Sequence, residues 1–271
     1  MKPLKSLKKD PIIHRNGQGG VQSVQRALDL LEVFLEHGSE IGLSRIAGLL
    51  NLNKATAYRL LSTLEDRGYV RRNPISRKYT LGIKVFELGY YFQSQLEVRR
   101  TGLSYLKEMV ERTTESGFLC IREGDEALCV ERVESQREVN IFSLRVGGKQ
   151  PLHCGGAPRA LLVDWDETQL EEYAARTGLP AFTNHTIQTL DQLLKDVCTT
   201  RENGFVVSMN DVVMGIAAVG APVFDHTSRV VASISLSGLS SRYGSEHISE
   251  LGQVVLDSAN RFSRELGYRE N

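Results

Sequence analysis

The chain has 271 residues, 41% of them hydrophobic, with 33 basic and 33 acidic side chains. That is enough length and apolar content for one large or two ordinary domains with proper cores, which excludes a chain disordered throughout. No run approaches roughly 18 apolar residues and no signal-peptide pattern is visible, so the expected setting is the cytoplasm, without a membrane partner. The cysteines Cys120, Cys129, Cys154 and Cys198 form no C-x-x-C pair, which argues against a disulfide framework or a zinc ribbon and for reduced, mostly buried thiols.

The zero net charge conceals an asymmetry. Residues 1–84 carry 15 Lys and Arg against 7 Asp and Glu, whereas the remainder carries 18 against 26. A basic third on an acidic remainder points the first part toward a polyanion and gives the rest a separate task.

Residues 1–20 mix lysines, prolines and glycines without an apolar period and read as a disordered basic arm. A first helix is expected from about Ser23 to His37 on the spacing of Val24, Leu28, Leu31 and Phe34, and a second from about Ser44 to Leu50. Asn51 falls where a tight turn needs a residue tolerant of left-handed angles, and Asn53 is placed to cap a third helix, about Lys54 to Asp66. On that helix Ala57, Leu60, Leu61 and Leu64 share an inward face, while Ala55, Tyr58, Arg59 and Ser62 point away.

A major groove admits a helix whose leading residues are short or can hydrogen-bond, and Lys54, Ala55, Thr56, Tyr58 and Arg59 meet that demand, with Ser62 further along the same face. The run "YVRR", "NPISR", "KYTL" then reads as a β-hairpin whose Arg71, Arg72, Arg77 and Lys78 would lie beside phosphates. Helix, helix, turn, helix and basic wing together form a winged helix-turn-helix, over residues 21–84. The competing reading, an ordinary amphipathic helix in a bundle, leaves the short turn and the basic hairpin unexplained.

Residues 85–114 read as linker helices interrupted near Gly89 and Gly102. Residues 115–271 follow as an α+β domain with a central antiparallel sheet: a hairpin around Gly124-Asp125, a strand over Val139–Val146, the segment "PLHCGGAPRALL", helices at about Asp166–Arg176 and Leu190–Glu202, strands "FVVS", "AAVGAPVF" and "RVVASISLSG", and a last helix from about Ser245 to Leu266. In "HCGGAP" two glycines at a strand-to-helix junction would let a ligand reach backbone N–H groups; a tight turn needing glycine for geometry alone explains them equally well.

Several of these segments resemble the IclR family of bacterial transcriptional regulators. "VQSVQRALDLLEVF", "LSRIAGLLNLNKATAYRLLSTLEDRGYV" and "YTLGIKVFELG" look like its DNA-binding domain, and "PLHCGGAPRALL", "RENGFVVSMNDVVMGIAAVGAPVFD" and "VVASISLSG" like its effector-binding domain. The resemblance spans about residues 21–266 and implies a winged helix, a connecting helix that contributes to dimerisation, and a GAF-like α/β effector domain. It further implies binding to a palindromic double-stranded operator as a homodimer or dimer of dimers, control of catabolic genes by a small organic acid, and no cofactor. Carried over by motif, the effector contacts are Phe142, Gly156, Ala157, Ser208, Ala218, Ser235 and Ser237.

The sequence departs from the family's commoner pattern at Ser208, where Asp is frequent, at Ala218, where Cys is frequent, and at Pro158-Arg159, where Gly-Lys is usual. The first two imply a less acidic, less polar pocket, suited to an aromatic or otherwise apolar carboxylate. Two other classes compete. One is a scaffold that binds DNA without sequence preference. The other is an enzyme using Cys154 beside His153, although sequence neighbours rarely face each other as a dyad. His153, His185, His226 and His247 lack metal-ligand spacing.

Overall fold

The computed structural model describes residues 20–135 and 144–269, and the chain divides into two compact units, Met1–Phe92 and Gln93–Asn271. The basic arm therefore lies almost wholly outside the described residues.

In the first unit, helices α1 (Gln22–His37), α2 (Leu43–Leu49) and α3 (Lys54–Asp66) precede an antiparallel hairpin of β1 (Val70–Arg72) and β2 (Tyr79–Leu81). Their helically spaced apolar residues converge on one core: Leu30, Val33 and Phe34 from α1, Ile46 from α2, Leu61 from α3, and Val70 and Tyr79 from the hairpin. Asn51 adopts the expected left-handed conformation, φ 50°. Asn53 caps α3, its Oδ1 accepting the Thr56 N–H at 2.7 Å. One pairing has no sequence signal. Ile41 and Tyr79 exchange backbone hydrogen bonds of 2.9 and 2.8 Å and so tie the α1–α2 connection to the wing; a single bridging residue has no period to announce it.

Helix α4 (Ile83–Gln95) buries none of its side chains, whereas α5 (Glu97–Thr113) buries Leu106, Met109 and Val110 in the core of the second unit. The segment read as linker helices is therefore divided, and the break falls at Leu96 rather than at the glycines. Gly102 sits inside α5 for reasons of packing: a Cβ there would lie 2.8 Å from Phe262 and 2.9 Å from Leu119.

The second unit is built on a six-stranded antiparallel sheet. Its strands are β3 (Ser116–Glu123), β4 (Glu126–Val133), β5 (Lys149–Pro151), β6 (Val206–Met209), β7 (Ile216–Phe224) and β8 (Val230–Leu239), in the spatial order β5-β4-β3-β8-β7-β6. Strand β5 is an addition to the sequence reading. The strand expected over Val139–Val146 falls mostly outside the described residues, and its described end, Leu144 to Val146, is not a strand.

Alternation along the strands sends Leu119, Val219, Ile234 and Leu236 to one face, where α5 and α9 (Ser245–Glu265) cover them. The opposite face carries Phe118, Cys120 and a row of small residues. It lies beneath α6 (Gly156–Ala160), α7 (Glu167–Thr177) and α8 (Leu190–Asn203). Small residues there let α6 reach the sheet backbone: a Cβ on Gly220 of β7 would lie 2.6 Å from the carbonyl carbon and oxygen of Gly156.

Gly220→Ala should therefore destabilise the second unit by about 1–3 kcal/mol through overpacking. A fall in the midpoint of chemical denaturation checks this; an unchanged midpoint would show that α6 can lift without cost.

Candidate functional sites

The cap on α3 fixes which residues lead. Lys54, Ala55, Tyr58 and Arg59 are exposed, while Thr56 and Ser62 are half-buried at the margins of the same face. Behind them Ala57 and Leu61 are fully buried, so the helix presents its short and basic side outward. On the wing, Arg77 and Lys78 are exposed at and beside the tip. Arg72 is different. Its Nε donates to the Arg77 carbonyl at 3.3 Å, its guanidinium stacks over Tyr79 at 5.6 Å, and its N–H is held by Glu65. The cross-strand register Arg72↔Tyr79 turns this side chain back onto its own hairpin, so it shapes the wing, whereas Arg71, Arg77 and Lys78 offer charge outward.

In the second unit, Gly156, Ala157, Ser208, Ala218, Ser235 and Ser237 line one cleft between α6 and the sheet. Register explains the convergence: Ser208 pairs with Ala218, Ala218 with Ser237, and Ser235 with Phe118, which sets them side by side on one face. Phe142 lies outside the described residues. The cleft also takes in Phe118, Leu144, Gln150, Val212, Val213, Ile216 and Asp211, none of which the motif comparison supplied. The position of Phe118 follows from the alternation in β3, but the loop residues carry no periodic signal.

Asp211 gives the pocket a carboxylate that the comparison of motifs did not supply. A carboxylate is present three residues beyond Ser208 and is buried in the wall. It accepts the Gly155 N–H at 2.9 Å and the Ser208 hydroxyl. The N–H of the first glycine of the "CGGAP" turn is thus occupied by the chain itself. Gly155, with φ 88°, needs glycine for its backbone angle.

Behind Asp211 stands the buried Arg159. Its Nε donates to the Gly155 carbonyl at 3.3 Å and its Nη2 to the Val207 carbonyl at 2.6 Å; it also pairs with Asp196 and, at 3.5 Å, with Asp211. Burial raises the Asp196 carboxyl above its ordinary value, against the opposing pull of Arg159. Of the serine hydroxyls, that of Ser237 donates to the Ala217 carbonyl at 2.8 Å.

Two family models match the chain: the IclR helix-turn-helix domain over residues 23–74 and the bacterial transcriptional regulator IclR C-terminal domain over residues 91–264. The chain belongs to the IclR family of bacterial transcriptional regulators. It is 31% identical to the HTH-type transcriptional regulator XynR of Escherichia coli K12, over 92% of this chain and 98% of that one. The crystal structure of the Thermotoga maritima IclR superposes with a TM-score of 0.76 at 28% identity, covering 91% of this chain and 99% of that one. An IclR homologue from Microbacterium hydrocarbonoxydans, solved in complex with 4-hydroxybenzoate, has the same fold with a TM-score of 0.79 at 21% identity, covering 90% of this chain and 99% of that one.

In this IclR-family chain Cys154 and His153 do not form a dyad. The Cys154 thiol is buried, faces the Pro151 carbonyl and Gln150, and is pushed up to about 12 by desolvation, so it is not a thiolate near neutral pH. The ring of His153 is engaged elsewhere, with Nδ1 2.9 Å from the Tyr173 hydroxyl and Nε2 3.0 Å from the Pro180 carbonyl. A carbonyl can only accept, so Nε2 carries the proton and Nδ1 accepts from Tyr173. Among the described residues no group of three His, Cys, Asp or Glu could hold a metal ion.

Desolvation lowers the His153 pKa below its ordinary 6.5. The stability that the neutral ring contributes is therefore fully present above pH 6.5 and is lost as pH falls below it. The melting temperature should drop on acidification through that window, and His153→Asn should flatten the drop; equal pH profiles would remove His153 as its source.

Proposed function

We propose that this regulator binds a palindromic operator as a homodimer or dimer of dimers in the cytoplasm. A small organic acid held in the cleft controls that binding and, through it, genes of small-molecule catabolism. The observation that carries the reading is the convergence of six expected effector contacts on one cleft in a chain whose other unit presents a capped, basic recognition helix. The hydroxybenzoate bound by the Microbacterium homologue, together with Phe118 and Leu144 in the lining, favours an acid with an aromatic or apolar body.

Helix α4 supports self-association. Its Ile83, Phe86, Tyr90, Tyr91 and Phe92 are all exposed, an apolar stretch that a second copy would cover. Two DNA-reading heads would then address half-sites about one helical turn, roughly 34 Å, or a multiple apart. An acid can shift their arrangement only by its differential affinity for the two states.

Fluorescence anisotropy with the upstream intergenic DNA of its own gene and with scrambled DNA, at one salt concentration and with and without a panel of organic acids, tests the whole reading. Specific binding that one acid changes is the expected result; equal binding to both DNAs, unmoved by any acid, would point to a sequence-indifferent scaffold. Arg59→Ala should cost about 1–3 kcal/mol in operator affinity and relax sequence preference; unchanged affinity and preference would displace Arg59 from the groove. Phe86→Glu combined with Tyr90→Glu should shift the sedimentation profile toward monomer, and an unaltered profile would place the interface elsewhere.

A further inference from the structure

Among the described residues the lining of the cleft holds no cationic side chain. Among these residues its lining contains one ionisable side chain, Asp211, which is itself acidic and already holds the Gly155 N–H. A positive group at its other end would offset the desolvation of an organic acid entering such a space, since a buried unpaired carboxylate is strongly disfavoured.

Arg132 has the required chemistry and packs against the wall of the cleft, just outside its lining. The register pairs Arg132 of β4 with Phe118 of β3, and Phe118 with Ser235 of β8, so the three form a row across adjacent strands on the cleft side of the sheet. Its guanidinium lies over the Phe118 ring at 5.4 Å, and its Nη1 donates to the Leu144 carbonyl at 3.3 Å, which are contacts to two residues of the cleft wall. The side chain is 8% exposed. Yet its Nε and Nη2 are buried with no hydrogen-bond acceptor among the described residues. Glu134 stands 3.4 Å from Nη2 as an ion-pair partner without a hydrogen bond, and its own side chain is 59% exposed.

The Nε–Nη2 edge is the one this protein uses elsewhere to grip carboxylates. Arg176 binds Asp125 through it with two contacts of 2.8 Å, and Arg242 binds Glu115 through it at 3.1 and 2.7 Å. We infer that Arg132 is the carboxylate anchor of the effector cleft. It receives the acid group on its Nε–Nη2 edge while the apolar body of the ligand packs on Phe118, away from Asp211. The assignment rests on the effector reading and names the charge that orients the ligand within it.

The test uses the full chain and isothermal titration calorimetry at pH 7 and fixed salt, with benzoate, 4-hydroxybenzoate and phenylacetate as probes and their carboxamides as uncharged counterparts. The protein should bind an acid about 10- to 100-fold more tightly than its amide. Arg132→Gln should bring that ratio close to one, and Arg132→Lys should retain part of it. Equal affinity of the unaltered protein for acid and amide would overturn the anchor without any variant, so a misfolded variant leaves the test intact. A folded Arg132→Gln that keeps the full preference would overturn the anchor and leave the effector reading standing. An unaltered protein that binds none of the acids would count against the effector reading and remove the anchor with it.

Discussion

The walls of the cleft are held together by one buried guanidinium. Arg159 projects from α6 and reaches Asp196 on α8, the Val207 carbonyl on β6, the Gly155 carbonyl before α6 and Asp211 in the loop beyond β6. Few alternatives could join a helix start, a second helix, an edge strand and a loop at once. A hydrophobic side chain would fill the space but leave the carboxylates of Asp196 and Asp211 without their counter-charge, and a lysine lacks the planar fork that addresses several acceptors. The arrangement has a cost of its own. One oxygen of Asp196 is buried without a hydrogen bond, and burial raises its carboxyl. Such networks fix one geometry, and here the geometry fixed is that of the cleft.

Small side chains make the second contribution. On the covered face of the sheet Ser208, Ala218, Gly220, Ser235 and Ser237 replace the large aliphatics found on the other face, where Val219, Ile234 and Leu236 lie. The alternation that gives the sheet its core thus also gives the cleft its floor. The hydroxyl of Ser233 on this same face donates to the Ala157 carbonyl at 2.7 Å, which helps seat α6 on the sheet.

Most of the architecture was legible in the sequence because it rests on local signals. Asn51 and Asn53 announced a turn and a cap, the spacing of apolar residues announced α1 and the inward face of α3, and the Gly124-Asp125 pair announced the β3–β4 hairpin. What escaped lacked such a signal. Strand β5 has three residues, the Ile41–Tyr79 bridge has one residue on each side, and Gly102, which looked like a helix break, is a packing position. In the site, six of the seven positions carried over by motif line one cleft, and strand register sets Ser208, Ala218, Ser235 and Ser237 on its floor. Asp211, the inward turn of Arg72 and the buried edge of Arg132 depend on contacts between residues distant in sequence or on side-chain direction. No spacing rule encodes those.

The backbone contact between Gly220 and Gly156 has a mechanical consequence. With no side chain between helix and sheet, α6 and β7 have no compressible layer separating them, and the floor and that wall of the cleft behave as a single stiff body. The turn from Asn210 to Gly215, which borders the cleft through Asp211, Val212 and Val213, is held differently: its ends are pinched by a 2.7 Å hydrogen bond and its Met214 side chain is exposed. Asp211 is rooted in this same turn, so its contacts with Arg159, Gly155 and Ser208 tie the turn to the stiff side of the cleft.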